Sequence, residues 1–165
     1  MGVIKLGFIS LVVFALLITG ISLFFPSHIR VSKAVDINAP KDSVMKQIAD
    51  AANWKKWYPG ADTATSYIVA DKIKGIITDD GKGLKITEAN DSAVLAINVG
   101  PNSKRGESGW NIFGGSTPNT VTVQWYVDFH LHWYPWEKFS SLLLEKRYGP
   151  MMELGLEKLK KLVEK

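Results

Sequence analysis

From Thr120 to Trp133 the chain alternates without a slip. Val121, Val123, Trp125, Val127, Phe129, Leu131 and Trp133 take the odd positions, and Thr120, Thr122, Gln124, Tyr126, Asp128, His130 and His132 the even ones. Consecutive side chains on a strand point to opposite faces, so this period of two demands a sheet with one apolar and one polar face. Fourteen residues at about 3.3 Å each would make a strand of roughly 45 Å, long enough that it must bend. An all-helical fold is excluded, and the odd face needs a cover.

The rest of the chain supplies more strands and that cover. Ile29, Val31, Val35 and Ile37 alternate with polar or small residues, Lys33 being the exception on the apolar side. Asn38-Ala39-Pro40 reads as a helix start, with Pro40 at the first helical position and Asp42 in the first turn, where the macrodipole favours an anion. Val44, Met45, Ile48 and Ala49 follow at helical spacing. An aromatic segment, Asn53 to Gly60, leads into strands over 65–70, 73–78 and 84–88, with Asp79 to Gly83 as a hairpin turn. Beyond a turn at Asn90-Asp91, the alternation of Ala93, Leu95, Ile97 and Val99 predicts another strand. A loop covers 100–106, and Trp110 and Ile112 belong to a further strand ended by Gly114-Gly115. Pro135 stops the last strand. A helix is predicted from Trp136 to Arg147, an interruption at Gly149-Pro150, and a final helix to Val163 that buries Met152, Gly155, Leu156, Leu159 and Val163.

The N-terminal segment follows a different rule. Leu6 to Phe25 contains no charged residue, and about 20 apolar residues of helix cross a bilayer core. A cleaved secretory signal would be shorter and would end in small residues; this run ends in Phe24-Phe25-Pro26. With no cysteine there is no lipoprotein signal. Residues 1–27 are therefore read as a transmembrane anchor and 28–165 as one folded domain. Only Lys5 and the amino terminus precede the span, whereas Arg30, Lys33 and Lys41 follow it, which tips the domain toward the cytoplasmic side. The net charge of +4 is spread over scattered pairs such as Lys55-Lys56 and Lys104-Arg105. No basic stripe with interleaved aromatics forms, so nucleic acid is not an expected partner.

Three stretches resemble a known superfamily. They are Val35-Asp36-Ile37-Asn38-Ala39-Pro40 with Val44 downstream; Asn53-Trp54-Lys55-Lys56-Trp57; and Trp133-Tyr134-Pro135-Trp136-Glu137-Lys138-Phe139, continued through Gly149-Pro150 to Gly155-Leu156-Glu157-Lys158-Leu159-Lys160. Residues 29–164 resemble START-like (SRPBCC) proteins and, among them, the polyketide cyclase/dehydrase and lipid-transport group, in its membrane-anchored bacterial form. The resemblance implies an α+β helix-grip fold. In it, a curved antiparallel sheet of about seven strands wraps on a long C-terminal helix, here preceded by one transmembrane helix. It also implies a hydrophobic ligand, a lipid or similar molecule, in an internal cavity.

Expected cavity or core residues are Trp110, Ile112, Val123, Trp125, Val127, Phe129, Met152, Gly155, Leu156 and Leu159. Trp54, Trp57, Tyr58, Trp133 and Trp136 are the aromatics expected at the cavity mouth, against the plainer reading that they pack the barrel ends. Asp128, His130 and His132 would share one strand face with metal-ligand chemistry. That face is polar throughout, so a solvent-side surface is the better reading and no metal or other cofactor is expected. The chain contains neither a nucleophile elbow nor a phosphate-binding loop, and nominates no catalytic residue. The function expected is a membrane-anchored binding protein. A cyclase- or dehydrase-type enzyme using the same cavity, and an interaction module with a filled barrel, are the alternatives.

Overall fold

The computed structural model describes residues 2–101, 106–115, 117 and 119–164. Helix α1 (Gly2–Ser22) has a mean hydropathy of 2.4 over its most apolar window and is not buried against the rest of the protein. It is long and apolar enough to cross a membrane, a test that a signal sequence would also pass. Strand β1 (His28–Ile37) follows, then α2 (Lys41–Ala49), a 3-10 helix (Ala51–Lys56), β2 (Thr65–Val69), β3 (Lys72–Ile77), β4 (Gly83–Ala89), β5 (Ala93–Val99), β6 (Gly106–Gly114) and β7 (Val121–His130). Helix α3 (Pro135–Ser140), a 3-10 turn (Ser141–Leu143) and the long α4 (Leu144–Val163) complete the chain.

The strands form one antiparallel sheet in the order β1-β7-β6-β5-β4-β3-β2. It is a meander from β2 to β7, with β1 added beside β7 over the full register from His28↔His130 to Ile37↔Val121. The turn after β3 closes by Gly81 N–H donating to Thr78 O, with Gly81 at φ +76°; glycine bears that conformation without a Cβ clash. Helix α4 crosses the concave face. At its far end Lys160 Nζ donates to Asp36 O and Glu164 accepts from Asn38 N–H, each at 2.8 Å. Near its start Glu145 and Glu153 flank the ammonium of Lys33 at 2.7 and 2.9 Å. Lys33, the polar exception on β1, is thus the strand's ionic tie to the helix.

Three expectations are corrected, and one strand face is settled. β7 ends at His130 instead of Trp133, because its partners run out: β1 begins opposite His130, and β6 begins opposite Phe129. Ten paired residues need no 45 Å strand. On β5 the buried side chains are Val94 and Ala96, while Leu95 and Ile97 are half-buried. Both parities of that strand are apolar, so alternation could not choose the face. Gly149-Pro150 does not interrupt α4, which runs through both; it gives up only the bond that Pro150 cannot donate. The helical break falls instead at Ser141–Leu143. Finally, Pro40 caps α2 rather than opening it. Of the loop predicted over 100–106, residues 102–105, including Lys104-Arg105, lie outside the described residues.

Asp128 departs from its expected solvent-side setting. It is 5% exposed and accepts two hydrogen bonds from Arg30, Nε at 2.7 Å and Nη2 at 2.6 Å; Arg30 in turn lies 4.1 Å over the Tyr126 ring. The fork on its carboxylate holds Asp128 below the usual range. A lowered folded-state pKa contributes stability that is present above the unfolded value near 4 and lost as pH falls through the folded one. Asp128→Asn should therefore lower the unfolding free energy at neutral pH by about 1–2 kcal/mol, Arg30 being half exposed. The gap to the wild type should narrow below about pH 4, as read by urea titrations across pH.

Candidate functional site

The 3-10 helix after α2 drives two tryptophans into the barrel. The indole N–H of Trp54 donates to Ile48 O at 2.8 Å and that of Trp57 to Gln47 O at 3.1 Å, so both rings are fully buried with their polar atoms satisfied. Trp110 and Trp125 are cross-strand partners on β6 and β7; Trp54 and Trp57 meet Trp110 at centroid distances of 5.4 and 6.0 Å, and Trp57 meets Trp125 at 6.2 Å. Tyr58 stacks on Trp54 at 5.5 Å. The core continues without a break through Ile112, Val123, Met152, Leu156 and Leu159, all at most 3% exposed. Of the two places expected for these residues, cavity lining or core, they take the core. Trp54 and Trp57 are likewise part of the filling and not of a mouth, because a ring seated in the core by its N–H bond has no rim to occupy.

A cavity of about 340 Å³ remains beyond this filling, at the small end of the usual range for ligand sites. Val127 and Phe129 of β7, Ile76, Leu84 and Ser108 of the neighbouring strands, and Tyr148 and Met151 of α4 line it, with Tyr58, Pro59 and Gly60 at the aromatic floor. Thr78, Lys82, Asn98, Val99 and Pro101 border it from the strand ends. Of the residues expected at the cavity or its mouth, the structure therefore brings Val127, Phe129 and Tyr58 to it. Trp133 and Trp136 are strongly exposed and lie elsewhere. Ile76, Leu84, Ser108, Tyr148 and Met151 were missed. The inward parity of Ile76 and Leu84 only follows once β3 and β4 are paired, and Tyr148 and Met151 flank a Gly-Pro that looked like a helix break.

Gly155 explains how tightly the floor is closed. A Cβ there would lie 2.7 Å from Cζ3 of Trp125 and 2.9 Å from Cδ of Pro59, and the Trp125 ring is fully buried. Only a bare backbone lets α4 come this near the tryptophan. Gly155→Ala should lose about 1–2 kcal/mol by overpacking, although alanine gains roughly 1 kcal/mol in helix propensity. Denaturant unfolding followed by tryptophan emission reads both terms together.

The cavity's chemistry is spare. Among the described residues its lining contains no Asp, Glu or His, and its titratable groups are Lys82, Tyr58 and Tyr148. Burial, with a smaller contribution from Tyr148, pushes the Tyr58 phenol up, so it stays an O–H donor and is not poised as a base. Asp128, bound by Arg30, also lies 3.5 Å from Nε2 of His28, on which His130 stacks at 4.6 Å, whereas His132 turns beyond the strand end to Glu137 at 3.1 Å.

The position of the cavity follows from the ladder. His28 faces His130, Gly106 faces Phe129, Gly83 faces Val99 and Ile77 faces Gly83. The sheet end from which α1 departs is therefore the same end at which β3 and β4, and β5 and β6, are joined. Thr78, Lys82, Val99, Pro101 and Phe129 all belong to it. The cavity opens at the end that carries the apolar helix.

A seven-stranded antiparallel sheet gripped by a long C-terminal helix defines a START-like protein. Residues 28–164 match the family described as polyketide cyclase / dehydrase and lipid transport, and the chain belongs to that family; the match begins where β1 begins. A START superfamily protein from Mycobacterium smegmatis is similar in structure at 15% identity, with a TM-score of 0.61 over 82% of this chain and 97% of that one. A norcoclaurine synthase point mutant of Thalictrum flavum, in complex with a transition-state analogue, has a TM-score of 0.60 at 11% identity, covering 82% and 94%. The di-domain aromatase/cyclase StfQ of the steffimycin biosynthetic pathway has a TM-score of 0.59 at 9% identity, over 83% of this chain and 51% of that one. At such identities the likeness is one of fold. Among curated proteins, none matches the sequence.

Proposed function

We propose that this protein binds a hydrophobic molecule, a lipid or a lipid-like chain, in the cavity between β3–β7 and the first half of α4, and that α1 anchors it in a membrane. One observation carries the reading: a mainly apolar cavity, bordered by Lys82 but with no carboxylate or histidine among the described lining residues, opens at the sheet end from which the apolar helix leaves. Affinity would come from removing apolar surface from water, at about 25 cal/mol per Å², with Tyr58, Tyr148 and Asn98 as the polar contacts. About 340 Å³ favours part of a lipid over a whole one. A tether on the cavity's own side raises the effective concentration of a membrane-borne ligand.

The Tyr58–Tyr148 pair favours one second reading, an enzyme that orients and hydrogen-bonds a reactive chain in the same space. A phenol with a raised pKa suits a donor and opposes a base. The binding reading leads for that reason.

Native mass spectrometry of the full chain extracted in detergent should show a bound lipid. Ser108 is buried, faces the cavity and pairs with Ala96 and Val127, so Ser108→Phe should fill the space and remove that lipid while the circular dichroism spectrum is kept. Tyr58→Phe with Tyr148→Phe should keep the lipid. A lipid-free wild type, or a Ser108→Phe variant as fully loaded as the wild type, would sink the reading.

A further inference from the structure

The segment between β7 and α4 shows apolar surface that the fold does not use. Trp133, Trp136, Leu142 and Leu143 are 63%, 67%, 64% and 64% exposed, and Tyr134 stacks on Trp136 at 4.8 Å with the rings almost parallel. A soluble surface rarely gathers so many large apolar groups within one short stretch. What covers them is indicated by what they are fastened to. Phe139 meets Phe25, just beyond α1, edge to face at 5.4 Å. Lys138, buried, donates from Nζ to Phe25 O at 3.0 Å and to Ser27 Oγ at 2.6 Å. The exposed patch is thus bolted to the point where the apolar helix ends.

We propose that residues 133–143 form a second membrane contact, an interfacial platform lying in the headgroup layer beside the span. The inference rests on the anchor reading of α1 and adds to it a fixed posture for the domain. Tryptophan and tyrosine prefer the depth at which hydrocarbon gives way to headgroups, their rings in the apolar layer and their N–H and O–H groups in the wet one. Lys146 and Arg147, exposed in the first turns of α4, follow the patch directly and suit anionic lipid. One residue further along is Tyr148, on the cavity wall. With both the span and the platform in the bilayer, the domain cannot swing freely on its tether, and the cavity end is held against the lipid.

The six tryptophans make the proposal testable in the full chain. Trp54, Trp57, Trp110 and Trp125 are wholly buried, so only Trp133 and Trp136 can meet an outside quencher. The chain is reconstituted into vesicles of phosphatidylglycerol and phosphatidylcholine, the latter brominated high on the acyl chain. Bromolipid should quench part of the emission and aqueous iodide little of it, and Trp133→Phe with Trp136→Phe should lose nearly all of the bromolipid-quenchable part. If the chain floats with the vesicles but bromolipid does not quench it, the platform is wrong while the anchor stands: iodide then quenches a patch left open to water, and does not quench one covered by a second copy or a protein partner. If the chain does not float with the vesicles, the anchor reading fails and takes the platform with it. The wild-type quenching comparison decides between these results even if the double variant does not fold.

Discussion

The approach of Gly155 to Trp125 is the contact on which the rest of the architecture depends. A sheet this curved has a concave face that one helix must close, and the closure distance is set by what stands between them. Here a glycine on the helix meets a tryptophan ring on β7, the strand next to the β1 edge, with Pro59 wedged alongside. The two elements can draw together only because one of them has no side chain at that point. Trp57, Tyr58 and Trp110 then pack around the same ring, and buried aromatic pairs of this kind add about 0.5–1.5 kcal/mol each beyond their area. The barrel is therefore solid from Trp125 to its far end, where Ile37, Val44, Ile48, Val123 and Leu159 are fully or almost fully buried. Any void has to lie on the other side of that plug.

That constraint separates what could be read in the sequence from what could not. β1, the buried half of β7 and the apolar face of α4 were legible, because each has one apolar parity or stripe and a polar complement. The order of strands and helices was legible from local pattern as well, and the family resemblance was carried by the end of β1, the Asn53–Trp57 segment and the run from Trp133 into α4. The face of β5 was not legible, since Val94 and Ala96 are as apolar as Leu95 and Ile97 and only pairing with β4 and β6 decides between them. Nor was the location of the cavity. Val127 and Trp125 occupy equivalent positions in the alternation, yet one lines a space and the other fills it. The difference arises from a 3-10 helix more than sixty residues earlier in the chain that inserts two indoles opposite Trp125, and no local pattern reports where such an insertion will stop. Trp54 and Trp57 read equally well as rim or filling until their N–H partners on α2 are known. Ladder length was hidden for a related reason: His132 and Trp133 continue the alternation, but a strand is only as long as its neighbours allow.

The position of the remaining space is then a matter of topology. In an antiparallel meander each turn returns the chain to one end or the other, and β1 enters the sheet antiparallel to β7. Whatever precedes β1 must therefore leave from the end where β7 finishes and where the β3–β4 and β5–β6 connections lie. The aromatic plug blocks the opposite half, so the open half and the apolar helix share an end. Neither feature requires the other. Their coincidence is what gives the helix a bearing on the cavity beyond holding the protein in place.

A single flexible tether would leave that coincidence weakly exploited, because a domain free to rotate presents its opening to lipid only part of the time. Interfacial segments become effective when two weak signals act together, as a short apolar patch does beside a stronger anchor. The buried Lys138 is the element that makes such cooperation geometric: by bonding to the backbone of Phe25 and the hydroxyl of Ser27, it fixes the angle between the emerging chain and α3. The cost of burying an ammonium group is offset only where oxygen acceptors surround it, so the bond set that satisfies the lysine also removes the hinge. Rigidity at that joint then passes through the 3-10 turn Ser141–Leu143 into α4, whose first half forms one wall of the cavity. Under the proposed anchoring, the posture of α1 and the shape of the cavity wall would be linked through that continuous segment, by packing rather than by sequence distance.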